Sequence, residues 1–236
     1  MRTLWQDSAG KDHTVVAPLS LVISAFAGVS DVRQVVTPDL KPDDDTRLLL
    51  VDLGRGRNRL GGSTLAQVFE TIGDDVPDVT AYDVRGLFAA VQSLIHDGLL
   101  LAYHDRSDGG LFVTAAEMAF AGRRGVSLQL PDDADTAGAL YSEEIGALLQ
   151  VHARDAEKVR EMFEAQGIGD CLVDVGMPAD EDRLVVNQNG AEVFANDLGT
   201  LEAAWSELTC RMQEQRDDPE SARQEYEAIL DRRDPG

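Results

Sequence analysis

Cysteine is nearly missing from this 236-residue chain: Cys171 and Cys210 are the only two, and their spacing forms no metal-binding or redox motif. That excludes a disulfide-stapled scaffold and fits a cytoplasmic protein with two incidental thiols. Neither cysteine sits on a glycine-flanked elbow, as Gly169-Asp170-Cys171-Leu172 and Leu208-Thr209-Cys210-Arg211 show, so neither reads as an activated nucleophile. Basic residues are also scarce. Lys plus Arg is 21 against 43 Asp plus Glu, a formal net charge of -22. An excess of this sign repels phosphate backbones and anionic lipid, which argues against nucleic-acid and membrane partners. A phosphorylated small ligand would need locally placed cations, a metal ion or backbone N–H groups. No apolar run approaches the roughly 20 residues that span a bilayer, and Met1-Arg2-Thr3-Leu4-Trp5-Gln6 has no signal-peptide core. The four histidines, His13, His96, His104 and His152, have no Ser-His-Asp context. Internal repeats, low-complexity tracts and a Walker A motif are all absent.

Hydrophobic residues make up 43% and charged residues 27%, ordinary for a globular core. Residues 14–29 read as one or two buried strands. Arg47–Leu53 (RLLLVDL) is a continuous apolar run, typical of a strand covered on both faces. It feeds a glycine-containing loop, Gly54–Gly62, after which Ser63 is an N-cap for a helix through Phe69 or beyond. Asp83–His96 has helical spacing, with Val84, Leu87, Phe88, Val91, Leu94 and Ile95 on one side. Leu99–Tyr103 reads as a buried strand, and a helix follows through Ala121 to a stop at Gly122. Further strands are expected at Val126–Leu130, Ile145–Val151, Cys171–Val175 and Arg183–Val186. The last turns through Asn187–Gly190 onto Glu192–Phe194, and Asp155–Gln166 is an amphipathic helix. Strands and helices alternate without strict βαβ order, which favours a mixed sheet layered with helices. From Thr200 the character changes. Leu201, Trp205, Leu208 and Met212 mark a helix that packs back on the domain, and Arg211–Gly236 reads as a charged helical linker.

The most informative stretch is His104-Asp105-Arg106-Ser107-Asp108-Gly109-Gly110-Leu111, between a buried strand and a helix, where ligands commonly meet α/β sheets. Asp105 offers a hard carboxylate oxygen to Mg²⁺ on a nucleotide. Ser107 or Asp108 can cap the helix, and free N–H groups near Gly109 and Gly110 make an anion site. Residue types alone leave a well-capped turn equally open. The second candidate is the Gly54–Gly62 loop, whose Arg55, Arg57 and Arg59 stand out in so acidic a chain; a flexible hairpin-like loop is its plainer reading. Glu143 and Glu144 are adjacent, and such side chains usually diverge into solvent.

Several segments together are familiar. YHDRSDGGLFVTAAEMAFAG (Tyr103–Gly122) closely resembles the glycine-rich signature of the large, single-chain form of phosphoribosylformylglycinamidine synthase. So do APLSLVISAFAGVSDVR (Ala17–Arg33), LLLVDLGRGRNRLGGSTLAQV (Leu48–Val68), EEIGALLQV (Glu143–Val151) and WSELTCRMQEQRDDPESARQEY (Trp205–Tyr226), so the resemblance covers nearly the whole chain. It implies a purine-biosynthesis ligase that converts formylglycinamide ribonucleotide, ATP and glutamine to formylglycinamidine ribonucleotide, ADP, phosphate and glutamate. Such an enzyme resembles a duplicated aminoimidazole ribonucleotide synthase, with two N-type and two C-type domains and a glutaminase. The implied fold is α+β, a three-layer α/β/α arrangement around a mixed sheet. The segment resembles the second C-type domain over residues 1–199, with residues 200–236 as a connector toward the glutaminase. Asp105 matches a magnesium-binding aspartate and Ser107 a nucleotide-contacting serine, so Mg²⁺ and ATP or ADP are the implied cofactors in the parent protein. Where the other C-type half carries a Glu-Ser-Gln element on the ribonucleotide, this chain has Ser142-Glu143-Glu144, which argues against a full substrate site. The N-type and glutaminase domains of the parent are the implied partners, and the segment alone is expected to be inactive. An independent nucleotide-binding or interaction module of the same superfamily is the alternative.

Overall fold

The computed structural model of the chain describes residues 2–16, 22–29, 31–43, 45–73 and 75–231, in two compact units, Met1–Arg33 and Gln34–Gly236. In the first unit β1 (Arg2–Gln6) and β2 (Asp12–Val16) form an antiparallel hairpin, with Arg2 opposite Val16 and Gln6 opposite Asp12. Asp7 closes the turn by accepting from the backbone N–H groups of Ala9 and Lys11. The buried strands expected over residues 14–29 are not found. Val15 and Val16 are exposed, and residues 22–29 are exposed without regular secondary structure. Residues 17–21 lie outside the described residues. A two-stranded ribbon has no second layer of its own against which to bury a face.

The second unit holds, in chain order, β3 (Thr46–Asp52), α1 (Thr64–Val68), α2 (Ala81–His96), β4 (Ala102–Asp105), α3 (Gly110–Gly122), β5 (Gly125–Gln129) and α4 (Thr136–Tyr141). There follow β6 (Gly146–His152), α5 (Ala156–Glu164), β7 (Leu172–Ala179), β8 (Arg183–Gln188), β9 (Ala191–Asp197), α6 (Leu198–Arg216) and α7 (Pro219–Ala228). Seven strands make one mixed sheet in the order β4-β6-β3-β7-β5-β8-β9. Every neighbouring pair is antiparallel except β5 and β8, which run parallel.

Alternation along β3 explains why that strand is apolar throughout. Leu48 and Leu50 enter a core with Leu111, Ala115 and Met118 of α3, whereas Leu49 and Val51 enter another with Leu87 and Leu94 of α2 and Phe163 of α5. Successive side chains point to opposite faces, so a strand sandwiched between helices is hydrophobic on both. The architecture is therefore α+β, with helices on both faces of a mixed sheet.

Two expected helical stripes differ in detail. On α2, Leu87, Val91 and Leu94 are buried, but Val84 is 39% and Phe88 67% exposed. Gly86 and Ala90 face inward instead, because a Cβ at Gly86 would already stand 3.2 Å from the Gln166 carbonyl. On α6, Leu201 packs on the core, whereas Trp205, Leu208 and Met212 are 58%, 68% and 63% exposed. Only the first part of α6 packs back on the sheet. The rest forms a helical hairpin with α7, which starts at Pro219 behind an Asp218 N-cap. Cys210 and Ala222 are buried there, and the Tyr226 hydroxyl donates to the Ala203 carbonyl at 3.0 Å.

Register brings the site together. Asp52 pairs with Gly146, Asp105 with Ala147 and Val51 with Leu172, so the C-terminal ends of β3 and β4 meet the N-terminal ends of β6 and β7. The loops after β3 and β4 and the segment before β6 gather at this one sheet end.

Candidate functional site

The loop leaving β3 is organised by Asp52, which is buried at the strand end. One carboxylate oxygen accepts from Gly54 N–H at 3.0 Å and from the Arg106 guanidinium at 2.6 Å, while the other accepts from Gly56 N–H at 2.6 Å. The arginines that suggested an open anion site are mostly turned to internal carboxylates. Arg59 is buried, with Nε and Nη2 on the two oxygens of Glu144 at 2.7 and 2.8 Å, a forked geometry that holds its guanidinium above the ordinary arginine range. Arg55 binds Asp83 and Asp170 at 3.0 and 2.7 Å, and Asp83 is held low chiefly by Arg55 and then by the Thr80 hydroxyl. Arg57 donates through Nε to the Gly54 carbonyl at 3.0 Å and stays exposed. Ser63 caps α1 as expected, accepting from Ala66 N–H at 3.2 Å. The loop is thus a braced wall, neither a flexible hairpin nor an open cradle.

The loop leaving β4 turns alternate residues in opposite senses. Arg106 is buried, its Nε donating to the Glu144 carbonyl at 2.5 Å beside its bond to Asp52. Its neighbours Asp105 and Ser107 are exposed. Asp105 Oδ1 accepts from the Tyr103 hydroxyl at 2.6 Å, and Oδ2 has no hydrogen-bond partner among the described residues. Burial, and then that carboxylate, pushes the Tyr103 hydroxyl above the usual phenol range. Among the described residues the Ser107 hydroxyl makes no hydrogen bond either; only its carbonyl is engaged, by Gly110 N–H at 3.0 Å.

The expected anion site at the two glycines is not open. Gly109 N–H donates to Glu143 Oε1 at 2.8 Å, and the same oxygen accepts from Thr64 N–H at 2.8 Å. Gly109, at φ 80°, is itself the N-cap of α3 with no side-chain bond, so neither Ser107 nor Asp108 caps that helix. Gly110, at φ 65°, is required sterically: an added Cβ would stand 2.7 Å from the Leu140 and Ser142 carbonyls.

The adjacent carboxylates Glu143 and Glu144 do diverge, but neither into open solvent. Glu144 is 1% exposed on Arg59, and Glu143 closes the amide pair. Residue-type reasoning passed over both. The available signal was their position directly before an apolar strand, in a chain whose loops after β3 and β4 carry Arg55, Arg57, Arg59 and Arg106. Ser142 is also fully buried, and its hydroxyl has no hydrogen-bond partner among the described residues.

Among the described residues no group of three or more His, Cys, Asp or Glu side chains could hold a metal ion. Asp105 fits a metal as a single hard ligand, with one oxygen to give, and completion of the shell would fall to phosphate oxygens, water and other protein groups. A cavity of about 100 Å³ lies at this sheet end, lined by Leu50, Val173 and Val175 together with Asp52 and Arg55. It is smaller than the few hundred Å³ of ordinary small-molecule sites. Cys171 is buried, which pushes its thiol up to about 11, and burial raises Cys210 as well. His104 bridges the Asp105 carbonyl and the Glu117 carboxylate. Among the described residues no helix is long and apolar enough to cross a membrane.

Residues 45–188 match the family described as AIR synthase related protein, C-terminal domain. Solved structures of Thermotoga maritima PurL share the fold at low identity. The complex with ATP has a TM-score of 0.56 and 16% identity, covering 72% of this chain and 27% of that one. The complex described with FGAR has a TM-score of 0.58 and 15% identity, covering 72% and 30%. PurLQS from the same organism gives 0.56 and 14%, covering 71% and 27%. The chain therefore spans less than a third of the length of these proteins. With its mixed sheet and the match running from before β3 to the end of β8, the chain belongs to the AIR synthase related family, as its C-terminal domain.

Proposed function

We propose that this chain is the second C-type domain of a phosphoribosylformylglycinamidine synthase, an ATP- and glutamine-dependent carbon–nitrogen ligase of purine biosynthesis acting in the cytoplasm. In this reading residues 200–236 are the connector toward a glutaminase domain. The segment contributes one wall of a Mg-nucleotide site, and catalysis needs the other domains of the parent chain. Family membership supports the reading, as do the extended resemblance and the ATP, ADP and AMPPCP complexes of Thermotoga maritima PurL, of which this chain matches a part. The observation that carries it is the pairing of two outward, unengaged groups on a rigid loop: Asp105 Oδ2 and the Ser107 hydroxyl, held in place by buried Arg106.

In this role Asp105 presents one oxygen to the ion. Tyr103 fixes the carboxylate through Oδ1, which limits its rotation at low cost because the hydroxyl is already half-buried. Ser107 would donate to a phosphate oxygen or accept from a metal-bound water. Mg²⁺, when bound, would screen phosphate charge from a protein of net charge -22.

Calorimetric titration of the chain with Mg-ADP tests this. Wild type is expected to bind, and Asp105→Ala to weaken binding at least about tenfold, the scale of losing one charge-assisted ligand, with an unchanged thermal midpoint. Equal binding by the two proteins, or no binding by wild type, sinks the assignment. Glutamine-dependent product formation by the chain alone would overturn the expectation that it is inactive.

A further inference from the structure

The loop that carries Asp105 is also held from the other side, by contacts that run to the connector. His104 Nδ1 lies 2.7 Å from the Asp105 carbonyl oxygen, which can only accept, so the ring donates there. Its Nε2 lies 3.1 Å from Oε2 of Glu117, about two turns into α3; that carboxylate also only accepts, so the ring bridges the two oxygens with a proton on each nitrogen. The second oxygen of Glu117 accepts from Trp205 Nε1 of α6 at 3.0 Å. The Trp205 ring also tilts against Phe120 of α3, with centroids 6.1 Å apart. One carboxylate therefore joins the strand end that bears the proposed metal ligand to the helix that leaves the domain. Its two oxygens are rigidly related, so a rotation that follows Trp205 carries Oε2 away from His104. The contact is also placed where α6 ceases to be covered: Leu201 packs on the core, and Leu208 and Met212, past Trp205, are exposed.

We infer that Glu117 is a positioning residue that couples the seating of helix α6 to the geometry of the Asp105 loop. Resting on the nucleotide-wall reading for its consequence, the inference gives that site a regulator: whatever moves the connector alters how Asp105 is presented. The coupling is reciprocal, so a ligand on Asp105 also changes how firmly Trp205 is seated.

The test compares the full chain with Trp205→Phe, which keeps an aromatic ring on Phe120 but removes the donor, with Glu117→Ala, and with the double variant. Backbone amide resonances of His104, Asp105 and Arg106 are read in each without ligand. Trp205→Phe is expected to move them in the same direction as Glu117→Ala, and the double variant to add nothing to Glu117→Ala. Mg-ADP affinity should change about fivefold in both single variants, the lower end of measured couplings. Unmoved resonances in Trp205→Phe overturn the inference, even if that variant unseats the helix altogether. Independent, additive shifts in the double variant overturn it too. Failure of wild type to bind Mg-ADP removes the nucleotide reading alone, since the resonance comparison is made without ligand.

Discussion

The loops after β3 and β4 share one local grammar, a strand of the sheet, then glycines and arginine, then a helix, yet they finish in opposite chemical states. In Gly54–Gly62, Arg55 and Arg59 meet Asp83, Asp170 and Glu144, carboxylates drawn from distant parts of the chain. In Asp105–Gly110 a single arginine is buried, and the acidic and hydroxyl groups on either side of it face outward. What separates the two loops is the supply of opposite charge at the sheet end. Where it is sufficient the loop becomes internal bracing; where one arginine serves as the anchor, the adjacent positions are left for a ligand. A charged loop residue is informative only once its partners are known.

Asp52 serves both loops at once, so its removal should blur the difference most. Asp52→Ala leaves Arg106 buried without its partner and frees the Gly54 and Gly56 amides, at an expected cost of about 3–5 kcal/mol in denaturant unfolding. A loss below about 1 kcal/mol would mean that water replaces the carboxylate. Glu143→Ala touches only the second loop and the start of α1. The expected loss is about 1 kcal/mol, with faster hydrogen exchange at Gly109 and Thr64 but not at Gly54 or Gly56. The smallest effect sharpens the first loop alone. Arg55, and secondarily Thr80, hold Asp83 below the ordinary aspartate value of 3.8, so its stabilisation is complete above about that pH. It is lost as pH falls through the depressed value. Asp83→Asn should therefore lower the thermal midpoint slightly at neutral pH, by the equivalent of about 0.5 kcal/mol given the half-exposed Arg55. The gap from wild type should close at the acid end. A constant gap at every pH would assign the effect to packing.

Much of the sheet was legible because its strands are short apolar runs: Leu48–Val51 and Ala147–Val151 are buried on both faces, and Asn189-Gly190 marks the β8–β9 hairpin. A helix end was legible where its cap is chemical, as at Ser63. Most of the failures share one physical cause, which is that tertiary partners decide them. The apolar residues near the N-terminus look like core, yet in their own unit Val22 and Phe26 are 90% and 97% exposed. The six-residue α4 offers too few turns for periodicity to register. Asp105 and Ser107 could be singled out by type and place, but their freedom depends on Arg106 turning inward. The roles of Glu143 and Glu144 depend on Gly109 and Arg59, remote in sequence, and no local rule reveals such a match.

The interior position of β3 has a consequence for how the chain acquires this shape. Leu50 waits between Leu148 and Val173, and both flanking strands are made long after β3 itself. Nascent β3 therefore emerges as a bare apolar ribbon, and its closure over long separations belongs to the slow class of folding events. During that interval Leu48–Val51 is open to pairing with a neighbouring copy. The acidic surface that discourages anionic partners in the finished protein would also keep unfinished chains apart.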